Sequence, residues 1–351
     1  MADSPSELKQ NMKQIRAKAP LRVGFSGGGT DVSPYSDQHG GAVLNATINM
    51  YAYCFLSETE DGQISLRSRD YGNDISYPVG YQLPIDGNLD LFKHIYNRLA
   101  VEFSPAIKPF RLVTHSDAPY GSGLGGSSTL VVAVIHALAE WWRLPFGEYD
   151  VARLAYRIER EDAQLKGGKQ DQYSAAFGGF NYMEFYGDRV IVNPLRIKEK
   201  TLHELQGSLL LCFTGRSRES ASIIESQIHN VSTGVTQAVE AMHEVKRDAF
   251  EMKEAILTNR LDRFSEILDR AWQNKKRIAG SISNPEIDAL YNYAKAHGAK
   301  AGKLSGAGGG GFIMFAVDPV DKYDLRNALS ANGHRTLDIN FTREGALAWS
   351  A

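Results

Sequence analysis

The small-residue run DAPYGSGLGGSST ends abruptly in LVVAVIHALAEWW, an apolar segment with helical spacing (Asp117–Trp142). No other feature constrains the fold as much: the strand FRLVTHS must feed a glycine turn, and the turn must open a long helix. Gly121, Gly123, Gly125 and Gly126 precede that helix. With so few side chains, the loop presents mainly backbone. The first N–H groups of a helix lack intrahelical partners, and the helix dipole adds partial positive charge there. Glycine lets the backbone curl around an anion without a Cβ in the way. The anion these residues suggest is a polyphosphate. Ser127 and Ser128 fall in the first turn, where one hydroxyl can cap the helix and one can ligate a hard cation such as Mg²⁺. A Gly/Ser turn with an N-cap and no ligand is the plain alternative.

Two familiar phosphate motifs do not account for the loop. The nearest approach to GxxxxGK[ST], GAKAGKL at Gly298–Leu304, is one residue short and ends in Leu. GSGLGG at Gly121–Gly126 matches GxGxxG in form, but a dinucleotide fold places it after the first strand, with an acid about 20 residues on. Here several strands precede it, and the first acid after it is Glu140. Three further glycine turns join it. RVGFSGGGTD sets Gly28, Gly29, Thr30 and Asp31 at a strand end, where a hydroxylated ligand finds hydrogen-bond partners. GGKQDQY carries Asp171, and SGAGGGG runs from Gly306 through Gly308 and Gly309 to Gly311. Routine turns do not need so many.

Strand and helix patterns interleave without a strict βαβ rhythm, and the character changes near residue 195. Up to there, strands such as GAVLNATINMYAYCFLSE (one or two), a hairpin in QISLRSRDYGNDISYPV and several helices alternate. Beyond the strand GSLLLCFTG the chain reads as long amphipathic helix from Ser220 to about Ala279, then SGAGGGGFIMFAV, a helix and a last strand, RTLDINF. The expectation is an α+β protein of two domains, 1–195 and 196–351. A formal net charge of −2 leaves no global basic field for nucleic acid or anionic membrane, so anions must be held by local groups. Cys54 and Cys212 are the only cysteines, in no metal-ligand pattern, and His39 and His115 lack a second ligand at metal spacing. The polar N-terminus and the lack of a membrane-length apolar run give the expectation of a soluble cytoplasmic protein.

Three segments, APLRVGFSGGGTD, PYGSGLGGSST and KLSGAGGGGFIMF, occur in the order and spacing of the GHMP small-molecule kinases, which the chain resembles from about Ala19 to its end. Within that family, GGGTD, GGKQDQYSAAFGGF and FTGRSRESASIIE are most similar to the sugar 1-kinase branch acting on D-glycero-D-manno-heptose 7-phosphate, with fucose kinases as near relatives. The resemblance implies an N-terminal domain like ribosomal protein S5 domain 2 and a ferredoxin-like C-terminal domain. ATP would lie in the cleft, on Pro119, Gly121, Gly123, Leu124, Gly125, Gly126, Ser127 and Ser128. The implied reaction phosphorylates the anomeric C1 hydroxyl of the sugar phosphate, for nucleotide-activated heptose. Alternatives are an L-fucose or other free-sugar kinase, another alcohol such as mevalonate or homoserine, or a non-catalytic binder.

Site roles follow the same resemblance. Ser127 matches the Mg²⁺-ligating serine when aligned without gaps, with Ser128 second. Glu159 matches the metal-binding glutamate, with Glu161 as fallback. Asp171 is the expected base, and Arg22, rather than Lys18, the cation beside it. Gly28, Gly29, Thr30, Asp31, Gly308 and Gly309 are expected at the acceptor. TGRSRES brings Arg216 and Arg218 into one short turn, good chemistry for an acceptor phosphate; an ordinary solvated turn is the other reading. Lys275, Lys276 and Arg277 read as the wet face of a helix. Expected partners are ATP and a small sugar phosphate, and the protein is expected as a monomer or homodimer.

Overall fold

The computed structural model describes residues 12–216 and 220–351. Its strands are β1 (Gln14–Ser26), β2 (Gly41–Glu58), β3 (Gln63–Ser68), β4 (Asn73–Pro78), β5 (Phe110–Ser116), β6 (Phe180–Tyr186), β7 (Arg189–Pro194), β8 (Leu209–Phe213), β9 (Ala299–Leu304), β10 (Phe312–Val317), β11 (Thr336–Asp338) and β12 (Leu347–Ser350). β1 and β2 form the antiparallel spine of the first sheet, from Gln14 opposite Ser57 to Ser26 opposite Leu44. GAVLNATINMYAYCFLSE is one strand of 18 residues, because its two halves serve different neighbours. Its first half carries β6 and its second half β5. The β3–β4 hairpin joins β5 in parallel, and β7 closes the edge beyond β6.

The second sheet runs β11-β8-β10-β9, all antiparallel. In β8, Leu209 and Leu211 face one apolar cluster and Leu210 and Cys212 another. A strand buried on both faces reads as a continuous apolar run rather than an alternation. The first of these clusters also takes in Leu21, Val23 and Phe25 of β1, so the two sheets share a core. A division after residue 195 separates the sheets with one exception. β12, absent from the sequence reading, returns to pair with β1 from Ile15 opposite Ser350 to Lys18 opposite Leu347.

Helices fill the remaining layers. The helix Gly126–Trp142 is apolar on nearly every side and lies buried against β1 and β2. The long amphipathic helical stretch expected from Ser220 to about Ala279 is divided into three helices: Ala221–Ser232, Thr236–Leu257 and Leu261–Lys276. Gly234 and Asn259, both at positive φ, break it.

Candidate active site

Arg22 leaves β1 almost wholly buried and spans the site. Its Nε lies 2.8 Å and its Nη2 2.7 Å from the same oxygen, Oδ1 of Asp171. Its Nη1 donates to the carbonyl of Gly123 at 2.6 Å, and its backbone N–H to Leu124 O at 3.0 Å. One guanidinium thus ties the glycine loop to the helix Gln170–Phe177, which carries Asp171. The other carboxylate oxygen of Asp171 faces Gly125, where even a Cβ would come within 3.4 Å of it. Lys18, the alternative cation, points its amine over the Tyr51 ring instead, 4.7 Å from the centroid.

Gly123 and Gly125 both take positive φ, and a Cβ on Gly123 would lie 2.5 Å from Ser305 O. The loop therefore needs glycine at 123 for its turn and for the close approach of the third glycine run. Pro119, Gly121, Gly123, Gly125, Gly126, Ser127 and Ser128 all line one cleft of about 320 Å³, within the range of small-molecule sites. Leu124 does not; its side chain is in the shared core.

Behind the loop, the helix Glu148–Arg157 widens into a π-helical turn, Ile158–Asp162. Such turns re-aim side chains and recur at functional sites. Glu159 points inward, 2% exposed, and accepts from Ser128 Oγ at 3.0 Å and from Gln172 Nε2. Burial raises its pKa. Glu161 pairs with Arg157 at the surface. Ser128, rather than Ser127, is the hydroxyl on Glu159; Ser127 sits exposed on the cleft wall. Among the described residues no cluster of three or more His, Cys, Asp or Glu side chains is positioned to hold a metal.

The GGGTD turn is built differently from the expectation. Gly28, Gly29 and Asp31 line the cleft. Both Asp31 oxygens are taken: Oδ2 accepts from the N–H groups of Lys169 (2.9 Å) and Gln170 (3.0 Å), Oδ1 from Gly29 N–H (3.0 Å) and Gln170 Nε2 (3.2 Å). Asp31 therefore caps, from a distance in sequence, the helix that bears Asp171. Thr30 does not reach the cleft; its buried hydroxyl donates to Gly27 O and Ala42 O and pins the turn to β2. Gly308 and Gly309 also fall away from the cleft, packed on Ile282, and it is Gly306 and Ala307 that line it. Arg216 is not among the described residues lining the cleft: its side chain is 68% exposed and pairs with Glu286 at 2.9 Å. Its carbonyl, accepting from Gly311 N–H at 2.9 Å, holds the glycine run. Arg218 lies outside the described residues.

Lys275, expected on a wet helix face, is buried instead. It is 2% exposed and its amine enters the cleft, donating to Gly306 O at 2.5 Å. The signal was in the sequence, since Phe264, Leu268, Ala271 and Lys275 fall on one apolar stripe. Gln172 and Ser305, also unforeseen, hold Glu159 and Arg22.

The segment 90–179 matches the model of the GHMP kinase N-terminal domain and 252–335 that of the C-terminal domain. The chain is 49% identical to the D-glycero-alpha-D-manno-heptose 7-phosphate kinase of Campylobacter jejuni, over 96% of this chain and 99% of that one. This chain belongs to the GHMP kinase family. A crystal structure described as a D-glycero-D-manno-heptose 1-phosphate kinase from Bacteroides thetaiotaomicron superposes with a TM-score of 0.82 at 44% identity, covering 95% and 98% of the two chains. A bifunctional fucokinase/GDP-fucose pyrophosphorylase from Arabidopsis thaliana is more distant, 27% identical over 93% of this chain and 32% of its own length. The fold is the two-domain GHMP kinase fold, and the chain is a kinase with ATP as its family's phosphoryl donor. No helix among the described residues is long and apolar enough to cross a membrane.

Proposed function

We propose that this kinase transfers the γ-phosphoryl group of ATP to the C1 hydroxyl of D-glycero-D-manno-heptose 7-phosphate, giving the 1,7-bisphosphate. The observation that carries the proposal is the Arg22–Asp171 pair between the glycine loop and the GGGTD turn, in a chain half identical to a heptose 7-phosphate kinase. ATP phosphates lie against the N–H groups of the Gly121–Ser128 loop, and the acceptor hydroxyl meets the free oxygen of Asp171. As the new O–P bond forms, Asp171 takes the hydroxyl proton, the bond to the β-phosphate oxygen breaks and ADP leaves. Arg22 orients Asp171, and Gln170 and Asp31 fix the helix that carries it.

Mg²⁺ fits the residues at the loop. Glu159, the Ser128 hydroxyl and Gln172 Oε1, a buried oxygen with no partner among the described residues, make an oxygen-only donor set beside the phosphate loop. Ser127 is a further hydroxyl on the cleft side. A bound Mg²⁺ would supply positive charge beside the phosphates held by the loop. For the acceptor's own phosphate, the cations lining the cleft on that side are Lys166 and Arg160, the latter also donating to Leu165 O and Gly168 O at 3.2 Å each. The division into units 1–195 and 196–351 is part of this reading, with β12 of the second paired to β1 of the first.

One panel tests the proposal: ADP release with heptose 7-phosphate, its dephosphorylated form, L-fucose, galactose and mevalonate, with and without Mg²⁺. Turnover confined to the sugar phosphate is the expected result. Equal turnover of the free heptose, or preference for fucose, overturns it.

A further inference from the structure

Among the described residues, the cleft holds one cation that the proposed transfer does not use. Lys275 comes from the helix Leu261–Lys276, in the second half of the chain, and its Nζ enters the cleft. An ammonium has three N–H groups, and a protein acceptor, Gly306 O, is recorded for one. Opposite it stands Gly28. A Cβ there would lie 3.6 Å from the Lys275 amine and 3.5 Å from the Gln170 side-chain nitrogen, so the missing side chain leaves a gap bordered by two donors. The charged groups around the gap are Arg22 from β1, Lys303 from β9, and the carboxylates of Asp31 and Asp171. Arg22 is occupied by Asp171, Asp31 is saturated by four N–H groups, and Lys303 donates to Gly24 O and Leu304 O. Among the described residues, Lys275 is therefore a buried cation whose charge no carboxylate directly contacts. Such a group is costly unless an anion completes it.

We propose that Lys275 is a catalytic cation that binds the oxygens of the phosphoryl group in transfer, so that charge from the second half of the chain closes on the group held by the first. The proposal deepens the kinase reading above and rests on it for the identity of the anion. Lys275 neither gives nor takes a proton; the bonds formed and broken are those already described, and its ammonium balances charge on the non-bridging oxygens. Burial and the neighbouring Arg22 bring its pKa down to about 8, so the amine is charged at neutral pH and loses its charge just above.

The test uses inorganic phosphate as the anion, with Lys275→Met and the control Lys276→Met, whose amine pairs with Asp288 at 3.4 Å away from the gap. Phosphate should raise Tm of the unmutated protein and of Lys276→Met, and should leave Lys275→Met unmoved. In turnover, Lys275→Met should lose roughly 100- to 1,000-fold in kcat with KM for ATP within about threefold. The kcat/KM of the unmutated enzyme should fall above about pH 8, and Lys275→Arg should move that limb upward. A merely structural lysine predicts the reverse: a lower Tm, intact kcat and an unchanged pH limb. If Lys275→Met does not fold, Lys275→Gln, which keeps a donor without the charge, replaces it. A phosphate shift that survives in Lys275→Met overturns the proposal. A shift that depends on Lys275 while no acceptor in the panel releases ADP leaves the anion site standing and overturns the kinase reading instead.

Discussion

Replacing Asp171 by Asn changes one oxygen for an amide nitrogen at the centre of the site. Arg22 directs both Nε and Nη2 at Oδ1, at 2.8 and 2.7 Å, so the Asn carbonyl takes up that position and the new amide faces Gly125 and the cleft. There it donates where the carboxylate accepted, and the acceptor hydroxyl loses the group that receives its proton. General-base removal costs about 10²–10⁴ in rate, or about 3–5 kcal/mol of barrier. Folding loses less. The ion pair becomes a one-sided charge-assisted hydrogen bond that leaves the buried Arg22 guanidinium without its carboxylate, a loss of about 1–3 kcal/mol, and Arg22 keeps Gly123 O at 2.6 Å. Because Asp171 is a quarter exposed, solvent screening keeps that figure from growing.

The expected profile for Asp171→Asn is therefore a collapse of kcat, a Tm lower by about 2–4 °C, and an ATP affinity unchanged within about threefold. ADP release measures the first, a thermal melt the second and calorimetric titration the third. Arg22→Met separates the roles: it should weaken both turnover and stability, and the double variant should lose less than the sum, since the two residues act as one unit. Turnover of Asp171→Asn within tenfold of the unmutated enzyme would refute the base assignment. A large loss of ATP affinity would refute the geometry, because nothing places Asp171 on the nucleotide.

Gly123→Ala should be severely destabilising and inactive, since its Cβ would lie 2.5 Å from Ser305 O at a positive φ, whereas Gly126→Ala meets nothing closer than Leu21 at 3.9 Å and should raise Tm slightly; thermal melts of the pair decide it. Arg216→Ala should leave KM for the sugar phosphate unchanged, because its side chain is on Glu286, while Lys166→Ala should raise it several-fold. Glu159→Gln should lose the Mg²⁺ response yet gain stability in metal-free buffer, on the order of 1–2 kcal/mol. The sign follows from its raised pKa: the ionised, buried carboxylate costs stability above that pKa, and the cost disappears as pH falls through it. The gain should thus be present at pH 8 and absent at pH 4; a gain that grows toward acid pH refutes it.

The parts of this site that a reader of the sequence could find are those where backbone demands a residue type. Glycines at 121, 123 and 125 mark a loop that turns through positive φ, and GGGTD and GGKQD mark the turns packed on it, so the cleft and Asp171 were legible without coordinates. What was not legible is which side chains those turns consume. Thr30 and Asp31 look like ligands for a hydroxylated substrate, but the turn uses the Thr30 hydroxyl to hold β2 and the Asp31 carboxylate to cap a helix. Arg216 looks like a phosphate clamp in a short string of polar letters, but the chain uses its carbonyl and leaves its guanidinium outside. Lys275 failed in the opposite direction. Three consecutive basic letters suggest a solvated face, yet the spacing from Phe264 puts the first of them in the apolar stripe. A charged residue at a core-facing position in a helix must be paired or poised for a ligand. Testing each charge against the stripe of its own helix would have raised Lys275 from an ordinary surface lysine to a candidate for the cleft before any coordinates were available.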